Sequence, residues 1–359
     1  MAAPKAIALY LPQFHPIPEN DSWWGPGFTE WTNVTRAVPL FRSHYQPRFP
    51  ADLGFCDLRS PDVRLAQAEL ARSHGVSAFC YYHYWFSGRR LLQRPFDEVL
   101  ASGEPDLPFC LCWANESWTR RWLGEEREVL MRQEYSAEDD ERHGRFLAPA
   151  FADPRYVRHH GRPLFLIWRP KHLPEPRATV ERIAAAVERE GVTRPFFMGV
   201  DSHCPGEDCR TLGFDATMTF APQLSFLPQA LSDGFSATRL LRNARRGALN
   251  GRTKIYGYRE LLESLTGLRS GARAAPCAVV GRDNTPRRGR NGVVIETASP
   301  AAFGDDLRHC VRLAQKWDPQ EPLLFINAWN EWAEGCHLEP DQRNGKSYLE
   351  HVRAAMTAD

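Results

Sequence analysis

The sequence of 359 residues has no apolar run approaching the roughly 18 residues that a membrane-crossing helix needs, so insertion into a bilayer is not expected. It also lacks an excess of charge. Lysine and arginine number 45 against 44 aspartates and glutamates, and the net charge of +1 makes no broad field for attracting a nucleic-acid backbone. The N-terminus, Met-Ala-Ala-Pro-Lys followed by the short apolar segment Ala6 to Leu11, lacks the length and cleavage site of a signal peptide. A cytoplasmic location is therefore expected. Cysteines are odd in number, nine spread from Cys56 to Cys336, which excludes a dense secreted disulfide scaffold and fits reduced thiols. His203, Cys204 and Cys209 form one potential ligand cluster without a second ligand pair, and a plain loop is the simpler reading. No metal or cofactor is expected.

A hydrophobic fraction of 43% and a charged fraction of 25% are those of an ordinary globular protein. Short apolar or β-branched runs bounded by turn residues recur at Ala6–Leu11, Val76–Tyr82, Pro108–Trp113, Pro163–Trp168, Phe196–Val200, Ala216–Phe220, Cys277–Val280 and Leu323–Asn327. Helical patterns lie between several of them. In Pro61–His74, Ser60 is placed to cap, Pro61 takes the first helical position, Val63, Ala66 and Leu70 share a face, and Gly75 ends the helix. Ala178–Glu190 and Pro300–Trp317 repeat the helix-then-strand order. Eight alternating strands predict an α/β fold, a (β/α)8 TIM barrel. Neither G-x-G-x-x-G nor G-x-x-x-x-G-K-[ST] follows any strand, which argues against an open nucleotide-binding sheet. The chain is expected to be a single domain over 1–359 with a long insertion after strand six. That insertion, 221–276, contains no convincing strand and is arginine-rich between Arg239 and Arg252, as a lid or as a solvated excursion.

In such a barrel the active site forms at the C-terminal ends of the strands. Of the eleven tryptophans, Trp23, Trp24, Trp31, Trp85, Trp113, Trp118, Trp122, Trp329 and Trp332 fall in four post-strand segments. Flat aromatic faces stack on the C–H faces of sugar rings, so carbohydrate is the expected partner, although some of these rings could simply plug the barrel rim. Glycosidic cleavage uses two carboxyl groups, about 5 to 5.5 Å apart when configuration is retained. Glu331 and Glu334 are the expected catalytic pair. If Asn330–Glu334 forms one helical turn, positions i and i+3 share a face, and Trp329 and Trp332 would desolvate the pair. Substrate contacts are expected from Tyr10, His15, Trp31, Tyr82, His83, Trp85, Trp113, Asn115, Trp118, Trp329, Asn330 and Trp332. Glu116 is a substrate-binding or rival acid carboxylate. Arg120 and Arg121 could grip an acidic sugar, or pair with Glu125 and Glu126.

The segments Tyr10–His15, Phe79–Phe86, Cys112–Trp122, Asp283–Arg288 and Asn327–Asp341 together resemble the WbsX-like proteins, relatives of glycoside hydrolase family 99, the endo-α-mannosidases. The resemblance covers nearly the whole chain. It implies a (β/α)8 barrel and metal-independent cleavage with retention. The family's Trp-Asn-Glu-x-x-Glu-Gly pattern falls on Trp329–Gly335, and implies that Glu331 deprotonates the sugar 2-hydroxyl while Glu334 serves as general acid/base. Glu334 should then hold the raised pKa beside an ionised Glu331. Arg282 departs from the pattern, which has an aromatic residue before Asp283-Asn284. The resemblance also leaves open glycosyl transfer in surface polysaccharide (O-antigen) synthesis. A non-catalytic sugar-binding barrel would keep the tryptophans and lose a glutamate, and both glutamates are present.

Overall fold

The computed structural model describes residues 2–120, 125–269 and 273–357; of Arg120 and residues 125–127 only the backbone is described. Eight parallel strands close on themselves: β1 (Lys5–Tyr10), β2 (Ala78–Phe86), β3 (Phe109–Trp113), β4 (Arg162–Ile167), β5 (Phe196–Val200), β6 (Ala216–Thr219), β7 (Ala275–Val279) and β8 (Leu323–Asn327). Each pairs with the next, and β8 returns to β1 with Ile7 opposite Phe325 on one side and Ala78 on the other. The fold is the (β/α)8 barrel that the alternation predicts. Its strands are buried on both faces, so they read as continuous apolar runs such as Ala6–Tyr10 and Phe109–Trp113.

Helices α1 (Pro61–Ser73), α2 (Arg94–Ser102), α3 (Ala137–Ala152), α4 (Pro176–Arg189), α5 (Tyr258–Arg269), α6 (Pro300–Trp317) and α7 (Ser347–Thr357) surround the strands. Between β5 and β6 the described chain makes only a 3₁₀ turn, Cys209–Leu212. In α1 two expectations change. Ser60 occupies the N-cap position without a side-chain cap bond, and the buried face is Arg64, Gln67, Ala68 and Ala71, with Ala66 exposed. Polar anchoring sets that rotation: Gln67 accepts from the Tyr10 hydroxyl and donates to Glu339, and Arg64 donates to the Leu58 carbonyl. The C-terminus behaves as expected, with Gly75 at φ 82 and Val76 N–H bonded back to the Ala71 carbonyl.

The segment after β6 does contain a strand, which corrects the strand-free reading. Lys254–Gly257 pairs in parallel with Val293–Glu296, and that strand pairs with Arg282–Asp283. This small sheet ties the segment to the loop after β7. Short length and a lone lysine at its start concealed the strand from periodicity. Arg239 is no solvated charge; it is buried and donates to the carbonyls of Gln229, Gly234 and Arg252, gathering the segment around one guanidinium. No helix among the described residues is long and apolar enough to cross a membrane. All nine cysteines are unpaired, and Cys204 alone is not fully buried.

Arg269 of α5 joins three elements, pairing with Asp306 of α6 and donating to the Cys277 carbonyl of β7, with both side chains buried. Arg269→Ala strands the Asp306 carboxylate in the core. It should lower stability by about 3 to 5 kcal/mol, read as a shift in the urea midpoint at pH 7; a loss under about 1 kcal/mol would show that the pair is not needed.

Candidate active site

The loops at the C-terminal ends of the strands enclose a cleft of about 580 Å³. Glu331 and Glu334 both line it, together with Tyr82, Tyr84, Glu116, Trp118, Trp168 and Arg169. The turn carrying the glutamates is pinned from several sides. Trp329 N–H continues the barrel pairing to the Leu9 carbonyl, and the Asn330 side chain bonds both the N–H and the carbonyl of Leu11. Asn330–Glu331 pairs with Cys336–His337, and Trp332–Glu334 follows as a 3₁₀ turn, so the expected α-helical turn is replaced by a tight hairpin. Gly335 closes it at φ 60. A Cβ there would meet the Asp283 Cβ at 2.8 Å and the Arg48 guanidinium carbon at 3.0 Å, so a side chain has neither the conformation nor the room.

One side chain organises the carboxyl groups. Arg287 donates from Nε to Glu30 Oε1 at 2.9 Å, from Nη1 to Glu334 Oε1 at 2.7 Å, and from Nη2 to Glu331 Oε2 at 3.1 Å. Glu334 also pairs with Arg282, the position that departs from the family pattern. Asp283 anchors the arm bearing both arginines: it accepts from Gln46 and from the Thr285 hydroxyl and backbone, and pairs with His44. Burial pushes the Glu331 carboxyl up to about 8, Arg287 opposes the rise, and Glu334 and Glu30 add to it. Glu331 was expected to be ionised; with only 10% of its side chain exposed, burial raises its pKa instead.

The structure moves much of the expected contact surface out of the cleft. Trp85 stacks on His143 and Trp113 meets the same ring edge to face, the indoles fixed by bonds to Asp139 and to the Trp85 carbonyl, and His83 meets His143 at 3.0 Å within the same layer. Trp31 donates to the Cys56 carbonyl and packs on Trp332, which lies 3.8 Å from the His337 ring and donates to Glu339. Trp329 is fully buried against Phe79, Tyr10 is held by Gln67, and His15 is buried away from the cleft, its pKa lowered to about 4 chiefly by burial. These rings pack because the barrel rim needs large apolar volume there. Asn115 and Asn330 are backbone clamps; the Asn115 amide holds both the N–H and the carbonyl of Arg169, whose guanidinium pairs with Glu116. Tyr82, Trp118 and Glu116 remain in the cleft. The Arg120 side chain, Arg121 and Trp122 lie outside the described residues, as do the Glu125 and Glu126 side chains. His203 lines the cleft beside Trp168, whereas Cys209 is buried and bonded to Thr217, so the three residues do not assemble a ligand set.

Reading by residue type missed Glu30, Tyr84, Trp168, Arg282 and Arg287. The signal for Arg287 was present in Asp283–Arg288, a polar, turn-rich run immediately after a strand. Nothing in the sequence ties it to Glu30, 257 residues away.

The family model described as "Glycosyltransferase WbsX" matches residues 6–352. The chain belongs to the glycosyltransferase WbsX family. Two proteins of Xanthomonas campestris pv. campestris, both described as uncharacterized protein WxcX, are 44% identical over 355 residues, covering 98% of this chain and 49% of their own length. The chain thus spans about half the length of these curated relatives. Among solved structures, the family 99 endo-α-mannosidase of Bacteroides thetaiotaomicron is 16% identical with a TM-score of 0.56, covering 99% of this chain and 98% of that one. A glycoside hydrolase-like protein is 12% identical with a TM-score of 0.64, covering 100% and 95%. At such identities the likeness is one of fold, the closed (β/α)8 barrel.

Arg287→Met removes the cation that lowers Glu331, so the Glu331 pKa should climb further above about 8. A carboxyl raised in the folded state contributes stability below its unfolded value near 4.3 and loses it as pH rises through the folded value. The stability deficit of the variant should therefore widen as pH rises past about 8. Thermal unfolding at pH 7 and pH 9 reads this, and an equal deficit at both would mean that Arg287 does not hold Glu331 in its charged form.

Proposed function

We propose that the protein is a carbohydrate-active enzyme that cleaves a glycosidic bond in an oligosaccharide or polysaccharide, with Glu331 and Glu334 as its catalytic carboxyls. The observation carrying this reading is that the pair lines one cleft at the C-terminal end of a glycosidase-like barrel, bridged by a single guanidinium. Tyr82, Trp118 and Trp168 supply aromatic faces for sugar rings in the same cleft.

The family pattern supports cleavage with retention in two steps. Glu331 takes the proton of the sugar 2-hydroxyl, and the freed oxygen attacks the anomeric carbon to form a 1,2-anhydro sugar. Glu334 gives its proton to the departing oxygen. In the second step Glu334 takes a proton from water, the water oxygen opens the anhydro ring, and Glu331 returns its proton to the 2-oxygen. A sugar hydroxyl replacing water in that step would make the protein a transglycosidase, the outcome closest to the family's transferase description. A carboxylate abstracting a hydroxyl proton benefits from high basicity, so the raised Glu331 pKa suits a base. Before substrate arrives Glu331 largely holds a proton at neutral pH.

The reversed assignment, Glu331 as acid and Glu334 as base, is favoured by the two guanidinium groups already on Glu334. Kinetics separates the two. If Glu331 is the base, kcat/KM rises with pH through about 8; if it is the acid, kcat/KM falls over the same range. Replacing either glutamate by glutamine should cost on the order of 10² to 10⁴ in rate with saccharide binding largely kept. On a substrate whose leaving group needs no protonation, Glu334→Gln should recover much of its first-step rate and Glu331→Gln should not. Near-normal turnover by either variant on bacterial polysaccharides and α-mannosides would sink the site.

A further inference from the structure

A second cluster of polar side chains lies at the other end of the barrel, before the first residues of β4 and β8. Arg158–His159 and Arg162–Pro163 form a hairpin whose two turn residues, His160 and Gly161, both have left-handed backbones at φ 49 and 73. Such turns are dominated by Asn, Asp and Gly, and histidine is among the few other residues that accept a left-handed backbone. Its Nε2 lies 2.6 Å from Asp318 Oδ2, and His159 Nε2 lies 3.3 Å from that same oxygen. The other Asp318 oxygen accepts the backbone N–H groups of Gln320 and Glu321, which aims Oδ2 between the two rings.

A further carboxylate stands close to both rings. Glu321 approaches both rings from the Nδ1 side, at 3.8 Å for His159 and 3.9 Å for His160, and accepts the His160 backbone N–H at 2.9 Å. His159 is 1% exposed, is stacked on Trp317 at 5.3 Å and edge-on to Phe196 at 4.6 Å, and its buried Nδ1 has no hydrogen-bond partner. Among the described residues this is the one group of three histidine, cysteine or acidic side chains whose ligating atoms all lie within 4.8 Å of one another.

We propose that His159 Nε2, His160 Nε2 and Asp318 Oδ2 bind a divalent transition-metal ion of the zinc type, with water as the fourth ligand. Bonds of about 2.0 to 2.2 Å in a tetrahedron set ligand atoms about 3.3 Å apart, a spacing that the His159–Asp318 contact already has. Two imidazoles select zinc, nickel or copper over calcium and magnesium. Glu321, drawn onto the Nδ1–H groups, would fix the ring orientation. The ion would tie the hairpin before β4 to the loop before β8, two segments from opposite sides of the barrel wall, and has no part in the cleft chemistry.

Untagged protein, stripped with a chelator and re-buffered, is titrated with zinc by calorimetry, and the cobalt form is examined by visible absorption. One zinc per chain is expected, with a rise in Tm and a tetrahedral cobalt spectrum. His160→Asn keeps a residue that accepts the left-handed turn while removing a ligand, and should lower zinc affinity at least tenfold and abolish the Tm rise. Glu321→Gln should weaken binding roughly 10- to 100-fold while leaving the cobalt geometry unchanged. Absence of stoichiometric zinc binding, or wild-type affinity in a folded His160→Asn variant, would overturn the site.

Discussion

Everything at the mouth of the barrel is arranged around the Arg287 guanidinium, which meets Glu30, Glu331 and Glu334 at once. Three carboxyl groups cannot share a buried space unless a cation holds them or protons neutralise them. Here both happen. Arg287 reaches all three, and burial still leaves Glu331 with its pKa near 8. Much of the surrounding structure is explained by the need to deliver this one side chain to one place. Asp283 is locked by His44, Gln46 and Thr285, and the strand Val293–Glu296 joins the arm to Lys254–Gly257.

The asparagines of the rim do a related job without charge. Asn330 holds Leu11 and Asn115 holds Arg169, each through a paired donor and acceptor on one backbone unit. A side-chain amide offers both functions in a fixed plane, so it can replace the ladder bonding lost where a strand ends. The loops of β1 and β8, and of β3 and β4, are thereby joined in pairs. Rigid placement of Glu331 follows from the first of these joints, and placement of Arg169 against Glu116 from the second.

Tryptophan serves two purposes in this protein. Trp85, Trp113, Trp329 and Trp332 are buried against other rings, and fill volume beneath the loops. Trp24, Trp118 and Trp168 line the cleft. The division matches the chemistry of a saccharide site, where a few exposed aromatic faces are needed over a firm base.

The sequence by itself determined the barrel. Strands buried on both faces must be apolar throughout, and eight such runs alternating with helices leave little other architecture. It singled out Glu331 and Glu334 as well, because a Glu-x-x-Glu pair after the last strand stands out from its surroundings, and the structure sets both on one cleft. What only the tertiary structure decided was which neighbours matter. Trp85 and Trp118 are alike as sequence, and differ because one faces Asp139 and His143 while the other faces the cleft. The raised pKa of Glu331 likewise came only from the fold, since burial depth and the approach of Arg287 depend on contacts spanning up to 257 residues. Periodicity reports the face a residue shares with its own element; it carries no information about which distant side chain arrives there.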